Sequence, residues 1–240
     1  MQTNPHPAHP INSLVAILAT MLKESAFFTA QDCLFSAHLE SSYPKVCFLA
    51  GENASGKSLL VKFACGWLSK LWPTAKYVRV SMEERTGSGH SEMGSFRRSM
   101  MFGDESEQST GETSVSTVKK ALDNLKSRLD DGEEMLLILD EPELGLSSSY
   151  HHALGLLIGH ALKAVADNPN CVGLLVVSHS KELYAGLAQG LEATPSFIHM
   201  GRNLTATQWL ADDSRKSLDE LNNLQSVARE RYRAVSQYMR

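Results

Sequence analysis

Lys45-Val46-Cys47-Phe48-Leu49-Ala50, then Gly51-Glu52-Asn53-Ala54-Ser55-Gly56-Lys57-Ser58, is the stretch on which the fold turns. The first six residues read as a buried parallel strand stopped by Gly51. A helix is expected from about Lys57 to Leu71, where Trp72-Pro73 ends it. The eight residues between match G-x-x-x-x-G-K-[ST] in full. Such a turn aims successive backbone N–H groups at phosphate oxygens, and the following helix start adds partial positive charge. In that geometry Lys57 reaches the outer phosphates and Ser58 offers its hydroxyl to Mg²⁺.

Outward from this stretch, strand and helix signals alternate. Apolar residues from Ile11 recur at helical spacing, and residues 1–10 read as a loose tail. Ala75–Ser81 alternates as a strand does. Residues 83–112 are rich in Ser, Gly and charge and read as a long mobile loop. A helix is expected over Thr113–Leu129, a buried strand over Met135–Leu139, a helix over Tyr150–Ala166 and a strand over Val172–Val177. Ser196–Met200 and Thr205–Leu210 read as two short closing strands. Residues 11–212 thus form one α/β core with a mainly parallel sheet. Residues 213–240 form a terminal amphipathic helix.

Met135–Leu139 runs straight into Asp140-Glu141. A buried strand that delivers two acids to its C-terminal end places them where α/β sheets bind ligands. Asp140 is the candidate metal-holding acid. Glu141 is placed to orient or deprotonate an attacking water.

Leu139-Asp140-Glu141-Pro142-Glu143-Leu144-Gly145-Leu146 resembles the Walker B and D-loop run of ABC-type ATPases. That superfamily includes transporter cassettes, the SMC and RecF proteins and mismatch-repair ATPases. Val176-Val177-Ser178-His179-Ser180 is similar to its switch-histidine segment, which implies that His179 contacts the γ-phosphate. Ser109-Thr110-Gly111-Glu112 resembles a weakened signature motif, which implies that Ser109 and Gly111 face the ATP of a second subunit. The implied fold is a P-loop NTPase core with a reduced helical subdomain. The implied cofactors are ATP and Mg²⁺, and the implied activity is ATP hydrolysis by Lys57, Glu141 and His179. The implied assembly is a homodimer, or a pseudo-dimer with a related ATPase.

The interval from Lys57 to Ser109 leaves little room for a membrane-coupling insert, which disfavours a transporter subunit. No glutamine or base-stacking aromatic is assignable, so ATP over GTP rests on the resemblance. With 23 Lys+Arg against 27 Asp+Glu, a globally basic nucleic-acid binder is excluded. Charge is uneven, however. Residues 104–144 hold twelve acids and four bases, whereas residues 214–240 hold six bases and three acids. DNA contact is therefore confined to a local surface, with the C-terminal arginines and Arg97-Arg98 as candidates. Ser109 or Ser114 is a candidate helix cap, and His151-His152 reads as a surface pair. No apolar run approaches the roughly 20 residues that span a bilayer. The start, MQTNPHPAHP, lacks a signal peptide's pattern, so a cytoplasmic location is expected. Four scattered cysteines suggest no metal site or disulfide framework, and Cys47 and Cys171 read as core residues. The expected role is DNA repair, DNA processing or anti-phage defence, with an effector or accessory protein carrying the output. A scaffold switch with little turnover is the alternative.

Overall fold

The computed structural model describes residues 13–29, 35–81 and 110–236. Helices α1 (Leu14–Glu24) and α2 (Ala26–Thr29) precede strands β1 (Ala37–Glu40) and β2 (Tyr43–Gly51). Helix α3 (Lys57–Leu71) follows, then β3 (Lys76–Ser81), α4 (Thr110–Asp130) and β4 (Met135–Asp140). The chain continues through α5 (His151–Lys163), β5 (Cys171–Val177), α6 (Lys181–Leu191) and β6 (Pro195–Met200). It closes with α7 (Ala206–Ala211) and α8 (Leu218–Ser236). The six strands form one sheet in the order β1-β6-β2-β5-β4-β3, parallel except for β1 against β6.

The two faces of the sheet are sorted by side-chain alternation. Val46, Phe48 and Ala50 of β2 join Met135, Leu137 and Leu139 of β4 beneath α4, α5 and α6. Cys47 and Leu49 join Leu136 and Ile138 against α1 and α3. Because both faces are covered, the central strands are apolar without a break over Val46–Ala50 and Met135–Leu139. In β5, Met135 pairs with Cys171 but Leu136 with Gly173, so Val172 is an extra residue. This bulge shifts the alternation by one, which puts both Cys171 and Leu174 on the α4–α6 side.

Two expectations need correction. Thr205–Leu210 is not a strand: α7 is a helix with a full capping box, Thr205 accepting from the Gln208 N–H and Gln208 from the Thr205 N–H. The T-A-T-Q-W-L alternation imitates a strand, yet Ala206 and Trp209, three apart, are the buried positions. Trp209 packs on Phe48 and Phe197 at centroid distances of 5.7 and 5.4 Å. Residues 110–112, expected within a loop, are helical, since α4 begins at Thr110, and residues 83–109 of that expected loop lie outside the described residues. In α8, Leu218 and Leu221 are 71% and 64% exposed.

Helix α6 and strand β1 carry no expectation from the sequence reading. Helix α6 packs on α5 through glycines: a Cβ on Gly186 would lie 2.0 Å from the His152 carbonyl oxygen, and one on Gly155 2.3 Å from that of Leu183. Among the described residues no helix is long and apolar enough to cross a membrane.

Candidate functional site

Strands β2, β4 and β5 end side by side, and their C-terminal ends carry Gly51, Asp140 and Ser178-His179. The Gly51–Ser58 turn bends back over this edge into α3. Gly56, the residue before α3, sits at φ 101, where a Cβ would lie 2.3 Å from the Phe35 ring, so only glycine fits. Ala54 holds φ 60, a left-handed conformation that is strained for alanine.

Lys57 is buried at the centre of this turn. Its Nζ donates to the carbonyls of Gly51 at 2.8 Å and Glu52 at 3.0 Å, and lies 3.0 Å from His179 Nε2. Burial lowers its pKa to about 8 against the opposing pull of Glu141, Asp140, Glu143 and Glu52. His179 Nε2 is also 3.0 Å from Glu141 Oε1. One ring nitrogen cannot accept from the ammonium and donate to the carboxylate at once. A proton on Nε2 pairs His179 with Glu141; without it, Nε2 accepts from Lys57. The His179 hydrogen bond, aided by the His179 and Lys57 charges, holds Glu141 below the usual carboxylate range despite partial burial. This favours the ionised form of Glu141.

Asp140 is buried and paired with Arg79 of β3, whose guanidinium nitrogen lies 2.5 Å from Oδ2. Asn53, Ala54, Gly56, Lys57, Ser58, Ser81, Asp140, Glu141 and Leu144 line a cleft of about 310 Å³. The structure thus gathers Lys57, Ser58, Asp140 and Glu141 around one cleft, with His179 in contact with two of them. The hard oxygen donors there are the Ser58 hydroxyl and the Asp140 and Glu141 carboxylates. Among the described residues no group of three or more His, Cys, Asp or Glu is placed to hold a metal by itself. One carboxylate and one hydroxyl suit Mg²⁺, which keeps most of its shell for waters and phosphates.

Gly111 lies elsewhere, in the first turn of α4. A Cβ there would come within 3.2 Å of the Gly145 carbonyl oxygen and 3.1 Å of the Leu146 side chain. Gly111 lines a separate groove of about 1040 Å³ with Val115, Leu146, Tyr150 and Leu157. Ser109 and Arg97-Arg98 lie outside the described residues. Ser114 is not a cap: it is buried inside α4 and donates to the Leu144 carbonyl at 2.6 Å. His151 is no simple surface residue either, for it is half-buried and bridges Ser180 Oγ and the Leu146 carbonyl.

Two partners of the Gly51–Ser58 turn escaped sequence reasoning. Arg231 of α8 donates to the Ala54 carbonyl at 2.7 Å, and Lys216 pairs with Glu52 at 2.9 Å. Between these ties lies a cavity of about 650 Å³ lined by Asn53, His179, Asn223, Leu224 and Val227. The basic charge of the last helix was legible, but its target lies far back along the chain, so no local pattern names it. Arg79 was equally hidden within an ordinary alternating strand.

No protein-family model matches the chain, and no curated protein matches it.

Proposed function

We propose that this protein is a P-loop ATPase of the ABC type, with a reduced helical subdomain, that binds ATP with Mg²⁺ and hydrolyses it. The observation that carries the reading is the chain of contacts from Lys57 through His179 to Glu141, at 3.0 Å each, inside the mouth of a complete G-x-x-x-x-G-K-S turn. Backbone N–H groups of the turn and the start of α3 receive the phosphates, and Lys57 turns its ammonium from the loop carbonyls toward them. Ser58 and Asp140 hold Mg²⁺, which when bound neutralises charge developing on the phosphates. Glu141 accepts the proton of the attacking water as its oxygen adds to the terminal phosphorus and the bond to the leaving ADP breaks. His179 holds Glu141 in place and contacts the terminal phosphate.

Ser109, Gly111 and the start of α4 reach the nucleotide of a second copy or a related chain, and closure around two nucleotides moves an effector or accessory protein. Work on DNA, in repair, processing or defence, is the role we assign to that motion, in the cytoplasm. Glu141→Gln is expected to keep ATP affinity within about twofold and lose at least about 100-fold in turnover. Lys57→Ala is expected to lose binding. An unchanged rate in Glu141→Gln removes Glu141 from the chemistry, and retained affinity in Lys57→Ala removes the turn as the site.

The Arg79–Asp140 ion pair favours a second reading, a nucleotide switch with little turnover, because Mg²⁺ must compete with Arg79 for the carboxylate. A single-turnover assay with excess enzyme separates the two: cleavage within seconds supports the ATPase, and intact ATP after an hour supports the switch.

A further inference from the structure

Glu143 and Ser178 take no part in the chemistry above, yet both are buried beside the two reacting residues in the chain. Glu143 stands two residues after Glu141, and Ser178 immediately before His179. Ser178 Oγ donates to Glu143 Oε1 and accepts the Ser180 N–H at 2.9 Å. The Ser178 N–H donates to the Leu49 carbonyl at 3.1 Å, which anchors the segment to the strand that leads into the Gly51–Ser58 turn. We propose that Glu143 and Ser178 are a positioning pair that sets the contact between Glu141 and His179, an inference that rests on the hydrolytic reading.

The argument is one of paired segments. Residues 141–146 and 177–180 run beside each other and are joined at successive points. The Glu141 N–H donates to the Val177 carbonyl at 2.8 Å. Glu141 meets His179, Glu143 meets Ser178, and His151 joins the Leu146 carbonyl to Ser180. Glu141 itself holds φ 52, a strained backbone for glutamate that persists only where its surroundings impose it. Beyond the Glu141–His179 contact itself, the Glu143–Ser178 contact is the next side-chain tie that joins the two segments. Freed of it, the turn can relax to an ordinary φ and carry the Glu141 carboxylate away from His179.

The second oxygen of Glu143 gives an independent reason. Oε2 is buried and has no hydrogen-bond partner among the described residues. A buried oxygen left in that state costs stability, so the pair is a poor way to hold a fold together. Two apolar side chains would do that better. Its place at the acid-bearing turn points to placement of Glu141.

The decisive variant is Glu143→Leu with Ser178→Ala, which removes both partners of the pair and, with Ser178, the acceptor of the Ser180 N–H. It is expected to melt within a few degrees of the parent and to bind ATP with unchanged affinity. Its kcat is expected to fall by between about 10- and 100-fold, as displaced catalytic groups do. Glu143→Gln, which keeps the accepting carbonyl, is expected to stay within about threefold of the parent. The His179 ring C–H resonance should move in the double variant toward its position in Glu141→Gln, and stay in Glu143→Gln. A double variant with parental kcat and an unmoved His179 resonance overturns the proposal. If the parent itself hydrolyses nothing, the hydrolytic reading fails separately. The His179 resonance then decides the pair alone: movement supports it and none overturns it.

Discussion

Lys57 donates to two carbonyls of its own loop and lies 3.0 Å from His179 Nε2, so the turn is pre-shaped around it. With a pKa lowered to about 8, free Lys57 loses its proton as pH rises past that value. Phosphate needs the ammonium form, so the bound state holds more protons than the free state above pH 8. Affinity is therefore expected to be level below about pH 7 and to fall up to about tenfold per pH unit above 8, read by fluorescence titration between pH 6.5 and 9.5. An affinity level to pH 9.5 would mean that Lys57 does not pair with phosphate. At this scale much was legible in the sequence. Gly56, Lys57 and Ser58 are neighbours in the chain, and Asp140 and Glu141 follow directly on a buried strand. What was not legible is which distant groups meet them. Nothing near Asp140 in sequence indicates Arg79, and nothing near Ala54 indicates Arg231.

Elements show the same division. Strands β2 and β4 announce themselves because both faces are buried, which removes every polar residue from Val46–Ala50 and Met135–Leu139. Helix α7 misled because six residues can satisfy two periodicities, and the Thr205–Gln208 capping box with contact to Phe48 and Phe197 chooses the helix. Helix α6 hides its helical stripe behind glycines, at positions where α5 allows no side chain. Gly186→Ala forces a Cβ onto the His152 carbonyl and is expected to cost about 1–3 kcal/mol, a fall in Tm on the order of 5 °C. Thermal unfolding checks this, and an unchanged Tm would mean that the helices separate freely. Helix α8 meets the Gly51–Ser58 turn at Arg231, and Lys216 just before it pairs with Glu52, over a cavity. Arg231→Ala is therefore expected to raise amide exchange across residues 218–236 at least several-fold while leaving β2 and β4 protected. Equal protection would place the anchoring of α8 elsewhere.

At the scale of the molecule, the Gly111–Leu146 groove and the Lys57–Glu141 cleft are separate surfaces of one chain. If each groove serves the cleft of another copy, Glu141→Gln with ATP is expected to run as a dimer in light scattering, and Lys57→Ala as a monomer under the same conditions. A monomer in both would mean that the chain acts singly. The amino-acid sequence by itself determined the α/β class, the order of most elements, the shape-giving glycine at 56 and the two acids that end β4. Each of these depends on residues within a few positions of one another, through burial period or backbone freedom. Only the tertiary structure decided that His179 stands between Lys57 and Glu141, that Asp140 is bound by Arg79, that Glu143 and Ser178 tie the two reacting segments, and that α8 lies on the turn. Those contacts join residues from 35 to 177 positions apart. Their partners are selected by the sheet order, which sets β5 between β2 and β4, and by the packing of the chain around it.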